Sequence, residues 1–301
     1  MRPCRNAAAL LFVLALVLAA SSTAKGDASQ PGRGEFVVST AWLAEHLEDQ
    51  NLVLLHVGDK AEFDAAHIPG AQFIALADIS TPRGTGLALE LPPVEQLHAA
   101  FEGFGVSDGS RIVLYFGKDW VTPTTRVFFT LDYLGLGERT SILDGGLPAW
   151  RADGRPVTAD LRPRPRGSLT ARARSSLVVD AEWVKSNVKK PEVSLVDARD
   201  AVFFAGEKPG GDPPLNGHIP GAVSLPFGSV MTDDNRFRDL TELAGLFGKA
   251  GVKPGKKVAA YCHIGQQATL VYFAARTLGY DAVLYDGSFQ DWSARRGEVT
   301  R

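Results

Sequence analysis

Cys262 is the side chain in this sequence best placed to do covalent chemistry. In KKVAAYCHIGQQATLVYFAARTLGY, residues 256 to 280, an apolar run from Val258 to Tyr261 stops at Cys262. A short polar segment follows (His263, Ile264, Gly265, Gln266, Gln267), and then Ala268 and apolar residues at helical spacing, Val271, Ala274, Ala275 and Leu278. The pattern predicts a buried strand, a tight loop and a helix, with the thiol at the strand's carboxyl end. In open α/β sheets ligands bind at that edge. The first N–H groups of a helix have no partner within it, and so point at whatever the loop holds. A thiol held there is expected to have its pKa lowered and to act as a nucleophile. An inert buried cysteine is the alternative. Gly265 is expected to adopt a positive φ that other residues resist. His263 is a candidate base or a substrate-facing group. Asp197 and Arg199, two apart at the end of SLVDAR, fall on one side of a strand. They form either an ion pair bracing the loop, the favoured reading, or a substrate contact.

The whole chain frames these residues. It has 301 residues, 45% hydrophobic and 22% charged, with net charge −2. That is enough for two globular domains and gives no sign of a nucleic-acid or membrane-surface binder. Residues 1 to 24 carry Arg2, Arg5, an unbroken apolar run from Ala7 to Ala20 and then small residues, and they predict a secretory signal peptide. The run is short for a membrane anchor. The mature protein is therefore expected to be exported, periplasmic or secreted, and free of the membrane. Of the two cysteines, Cys4 leaves with the signal, so Cys262 is a lone thiol with no internal disulfide partner.

Strand patterns (LVLLHV, 52 to 57; RIVLYF, 111 to 116) alternate with helical ones, which predicts α/β architecture with a mostly parallel sheet. The stretch 152 to 176 is rich in Pro and Arg, lacks an apolar period and reads as an inter-domain linker. Then the sequence repeats. HIPGA occurs at 67–71 and 218–222; SLVDARD echoes LLHVGD, KKVAAYC answers RIVLYF, and YDGSFQDW (285 to 292) answers LDGGLPAW (143 to 150). The domains are placed at 36–151 and 177–296. Pairing Tyr115 with Tyr261 sets Phe116 against Cys262, His56 against Asp197 and Gly58 against Arg199. The first copy keeps the core and lacks the chemistry. The second has 18 positions from Asp200 to His218 where the first has 8 from Asp59 to His67, as expected of a loop over a site. His67 and His218 occur in both copies and read as scaffold. Trp120 is a candidate pocket wall.

The tandem repeat, the paired HIPGA turns, DAR after a strand, and Tyr-Cys followed by a six-residue loop into a helix resemble the two-domain rhodaneses, from about residue 36 to 296. The resemblance implies a sulfurtransferase that takes sulfur from thiosulfate or 3-mercaptopyruvate onto Cys262 as a persulfide. An acceptor such as cyanide, a small thiol or a protein thiol would then remove it. It also implies that backbone N–H groups from His263 to Ala268 surround the sulfur. The loop matches neither the basic loops of thiosulfate-type members nor the Gly-Ser pair of mercaptopyruvate-type members. Phe203 stands near the place of a substrate-binding arginine, so anion binding would fall to backbone amides with Arg199, Lys208 or His263. No metal constellation and no cofactor motif is present, and a monomer is expected. A persulfide carrier or redox-sensing module acting with a partner is the alternative. A rhodanese-like phosphatase is disfavoured, since Ala268 stands where an arginine would clasp phosphate.

Overall fold

A computed structural model describes residues 36–82, 84–118, 120–170 and 172–301; the expected leader, residues 1–24, lies outside them. Strands β1 (Val37–Val38), β2 (Leu52–Val57), β3 (Gln72–Ile74), β4 (Arg111–Phe116) and β5 (Thr140–Leu143) form one sheet, in the order β1-β5-β4-β2-β3. Strands β6 (Val178–Val179), β7 (Val193–Asp197), β8 (Val223–Ser224), β9 (Lys257–Tyr261) and β10 (Ala282–Tyr285) form a second, in the order β6-β10-β9-β7-β8. Every pairing is parallel, and the second order repeats the first strand for strand. Helices α1 (Thr40–His46), α2 (Lys60–Ala65), α3 (Val94–Gly103), α4 (Thr122–Tyr133) and α5 (Gly146–Ala152) accompany the first sheet. Helices α6 (Ala181–Asn187), α7 (Ala201–Phe204), α8 (Leu240–Lys249), α9 (Ala268–Thr277) and α10 (Ser288–Ala294) accompany the second. Helices cover both faces of a parallel sheet, so its strands read as continuous apolar runs, and all six residues of β2 are buried.

The alignment of the two copies holds in the hydrogen bonds. His56 lies opposite Tyr115 and Asp197 opposite Tyr261. The Tyr115 hydroxyl accepts the Ile68 N–H at 3.2 Å, and the Tyr261 hydroxyl accepts the Ile219 N–H at 3.2 Å. The HIPGA histidines are scaffold in both: His67 stacks on Phe63 and its Nδ1 meets the Phe63 carbonyl at 2.7 Å, while His218 stacks on Phe204 and its Nδ1 meets the Phe204 carbonyl at 2.9 Å.

The spacing of α9 suggested one apolar stripe, yet all ten of its residues are buried. The reason is tertiary: one side lies on its own sheet and the other on α4 of the first unit. Along that seam residues meet their own counterparts. The Thr125 and Thr269 hydroxyls are hydrogen-bonded at 2.8 Å, Gln266 Nε2 donates to Thr122 Oγ1 at 3.1 Å, and Arg276 Nε donates to Asp132 Oδ2 at 3.0 Å. Phe128 packs on Phe273 and Phe129 on Tyr272, edge to face. Two parallel helices related by a two-fold axis running between them make contacts of this kind. One continuous apolar core therefore runs from Phe116 and Phe128 of the first unit to Val271 and Phe273 of the second.

The Arg- and Pro-rich stretch between the units lies along the first. Thr158 bridges His67, Arg166 reaches Glu102 at 2.7 Å, and Arg174 reaches Asp132 at 2.7 Å.

Candidate active site

The second sheet ends its central strand, β9, at Tyr261, and Cys262 is the next residue. From there to α9 the backbone curls in bends around the thiol. The N–H groups of Ala268, Ile264, Gly265 and Gln267 all point at the Cys262 sulfur. Gly265 has φ +80, as its place in the sequence suggested, and a Cβ there would lie 2.5 Å from the Asp286 carbonyl oxygen. The tight turn and the close approach both require glycine.

Burial reverses one expectation. Cys262 is fully buried, and that loss of water pushes its thiol pKa up; the backbone N–H groups from Ala268, Ile264, Gly265 and Gln267 pull it down without prevailing. Desolvation disfavours the charged form whatever the loop offers. The loop dipoles are in place, and the lowered pKa expected from sequence is not reached in this closed pocket.

Asp197 and Arg199 are a structural pair. Arg199 Nε donates to Asp197 Oδ1 at 2.9 Å and its Nη2 to Asp197 Oδ2 at 2.5 Å, and Nη2 also donates to the Gly217 carbonyl at 2.9 Å. The Tyr261 hydroxyl donates to Asp197 Oδ2 at 2.7 Å. Both charges are fully buried. The pair joins the end of β7 to Tyr261 on β9 and to the Gly217 carbonyl, while Arg199 Nη1 is buried with no hydrogen-bond partner among the described residues. His263 lies edge-on to Phe203, 4.5 Å between ring centroids, and burial followed by the nearby Arg199 cation lowers its pKa, which favours a neutral imidazole. Lys208 is exposed on the inserted loop. Trp120, 39% exposed, leans across the seam against Phe227.

Four residues beyond those picked from the sequence complete the loop's support. Ser288 Oγ accepts the Cys262 N–H at 3.1 Å and donates to the Tyr285 carbonyl at 2.9 Å. The next two N–H groups, of Phe289 and Gln290, donate to the Cys262 and His263 carbonyls at 2.9 and 3.0 Å. Arg126, from α4 of the first unit, is fully buried and donates to the Gly265 carbonyl at 3.3 Å, the Leu89 carbonyl and the Asp286 carboxylate. The sequence marks these positions only faintly, by an arginine in TTRVFF and by YDGS where the first copy reads LDGG, and assigns them no role. A cleft of about 750 Å³ opens beside the loop, between Leu76, Ser80 and Leu89 of the first unit and Ile264, Gln266 and Gln290 of the second. Among the described residues no cluster of His, Cys, Asp or Glu could hold a metal ion.

The first unit shows the same edge without the chemistry. Phe116 fills the place of Cys262, and a Cβ on Gly146, the counterpart of Ser288, would come within 2.8 Å of the Phe116 ring. Two units each bearing this strand–loop–helix match the family model described as "Rhodanese-like domain", over residues 39–153 and 180–295. The chain belongs to the rhodanese-like family. Among its relatives are the thiosulfate sulfurtransferase of Azotobacter vinelandii, 29% identical over 85% of this chain and 93% of that protein. The sulfur carrier protein TtuD of Thermus thermophilus is 30% identical over 86% of this chain and 93% of its own length. Among solved structures, SseA from Escherichia coli, described as a 3-mercaptopyruvate sulfotransferase, superposes with TM-score 0.74 at 27% identity, covering 84% of this chain and 98% of that one.

Proposed function

We propose that this rhodanese-like chain is a sulfurtransferase with Cys262 as its nucleophile. The observation that carries the reading is the ring of four backbone N–H groups aimed at one buried thiol at the end of the central strand. Fixed N–H dipoles around a sulfur favour an anion there, thiolate or persulfide. With thiosulfate, the Cys262 thiolate attacks the outer sulfur; a new S–S bond forms, the old one breaks, and sulfite leaves with the electron pair. A thiophilic acceptor (cyanide, a small thiol or a protein thiol) then attacks the outer sulfur of the persulfide, and Cys262 departs as thiolate. 3-Mercaptopyruvate would deliver the same sulfur as its C–S bond breaks, the enolate of pyruvate leaving with the electron pair and taking up a proton. Asp197, Arg199 and the loop His263 to Ala268 support the site, and no cofactor enters a step. The names of relatives acting on both donors fit the reading. The apolar N-terminal run, Ala7 to Ala20, supports export of the enzyme to the periplasm or beyond.

The relative named as a sulfur carrier favours keeping one further reading, a persulfide carrier that unloads only onto a partner. Intact mass separates the two. Incubation with thiosulfate or 3-mercaptopyruvate should add one sulfur (about 32 Da), removable by cyanide and absent in Cys262→Ser. Multiple turnovers with cyanide mark the enzyme, and loading without turnover marks the carrier. Retained sulfur transfer in Cys262→Ser would sink both.

A further inference from the structure

A fully buried arginine of the first unit reaches into the sulfur loop of the second. Arg126 stands in α4 where its counterpart in α9, by the pairing of Thr125 with Thr269, is Leu270. Its guanidinium binds acceptors from three separate segments: the Leu89 carbonyl in the cleft wall, the Gly265 carbonyl in the sulfur loop, and the Asp286 carboxylate in the turn before α10. Leu89 has φ +58, a left-handed backbone that leucine resists, so its carbonyl is held where the chain alone would not keep it. Gly265 has φ +80, with its N–H toward the Cys262 sulfur and its carbonyl turned outward to Arg126. That carbonyl lies between the Gly265 and Gln267 N–H groups directed at the sulfur, so a change in its direction would turn the peptides on either side of it and disturb those N–H groups. A flat guanidinium with several donors can meet three acceptors at once; an ammonium cannot reproduce that fork.

We propose that Arg126 is the positioning residue that fixes the Gly265 carbonyl outward and so keeps the loop's N–H groups directed at the sulfur, where they can hold an anion. The silent unit then sets the electrostatics of the working one. The inference deepens the sulfurtransferase reading, and its primary test does not depend on that reading, because it follows the thiol itself.

The test is the pH profile of Cys262 alkylation by iodoacetamide, read by intact mass in the full chain carrying Cys4→Ser. It is compared for the parent, Arg126→Gln, Arg126→Lys and the double variant Arg126→Gln/Asp286→Asn, which removes the buried ion pair as a whole. Each is melted alongside. In Arg126→Gln and the double variant the midpoint of the profile should move up by about one pH unit or more, and alkylation at pH 7 should slow by about tenfold or more. Arg126→Lys should recover part of the shift. With thiosulfate, kcat should fall while KM stays near the parent's. If Arg126→Gln alone fails to fold, the double variant and Arg126→Lys carry the test. A parent-like profile in any folded variant lacking the guanidinium, or a loss that follows only the folded fraction in all three, overturns the proposal. If neither donor loads the parent while the profile still shifts, the sulfurtransferase reading fails and this one stands.

Discussion

Ser288 has the conformation of a glycine and the chemistry of a serine. Its φ is +50, in the left-handed region, where the first unit has Gly146 at φ +56. The strain is tolerated because the hydroxyl satisfies the buried Cys262 N–H. Ser288→Ala should keep the strain, orphan that N–H and cost about 1–3 kcal/mol, measured by denaturant unfolding. His56 shows what the first unit does with the position that Asp197 holds in the other. It is fully buried, neither ring nitrogen finds a hydrogen-bond partner among the described residues, and burial, assisted by His67, lowers its pKa to about 4. The unfolded chain takes up that proton near pH 6.5, the folded one only near pH 4, so the neutral ring's stability is whole above about pH 6.5 and is lost as pH falls towards 4. The loss should approach roughly 3 kcal/mol. In His56→Leu this part of the acid limb should flatten; an unchanged slope of stability against pH would exclude His56 as its source.

At the scale of elements, the two sulfur-edge loops differ by filling as much as by sequence. From Phe116 to Thr125 the first loop spans nine positions, whereas Cys262 to Thr269 spans seven. Its thiol position is occupied by a ring that is 1% exposed. Phe116→Ala should destabilise the protein by about 3–5 kcal/mol in chemical denaturation and leave sulfur loading of the folded fraction unaltered. These elements were largely legible in the sequence because strand, loop and helix leave local periodic marks, and because the repeat supplied an internal control for Cys262, Asp197 and Arg199. Gly265 was legible too, since one residue type meets that turn's demand. Arg126, Ser288 and Asp286 were not, because their importance arises only where segments 139 to 160 positions apart in the chain, or the turn of another strand, come into contact. The raised thiol pKa escaped for the same reason: how thoroughly water is excluded is set by every element around the pocket.

At the scale of the whole molecule, the seam is an interior. Asp132, fully buried, accepts from the Tyr272 hydroxyl at 2.6 Å, from Arg276 of the second unit at 3.0 Å and from Arg174 of the connecting stretch at 2.7 Å. With apolar side chains continuous around this knot, the two units should melt as one. Calorimetry of residues 31–301 should show a single transition with calorimetric and van't Hoff enthalpies equal. Two resolved transitions would mean that the seam is weaker than its packing implies. Asp132→Ala should lower that single transition, since removing one partner strands buried charge at a cost of about 3–5 kcal/mol.

A surface that meets its own counterparts across a two-fold axis is isologous, the kind by which identical subunits form closed pairs. Here Thr125 faces Thr269 and Asp132 faces Arg276 within one polypeptide, so the chain has the form of a dimer whose subunits have been joined end to end. Identical subunits must each be both catalyst and brace, and one sequence has to serve both tasks. Once joined, the halves are free to differ, and a guanidinium can stand at 126 in one while leucine stands at 270 in the one that carries Cys262.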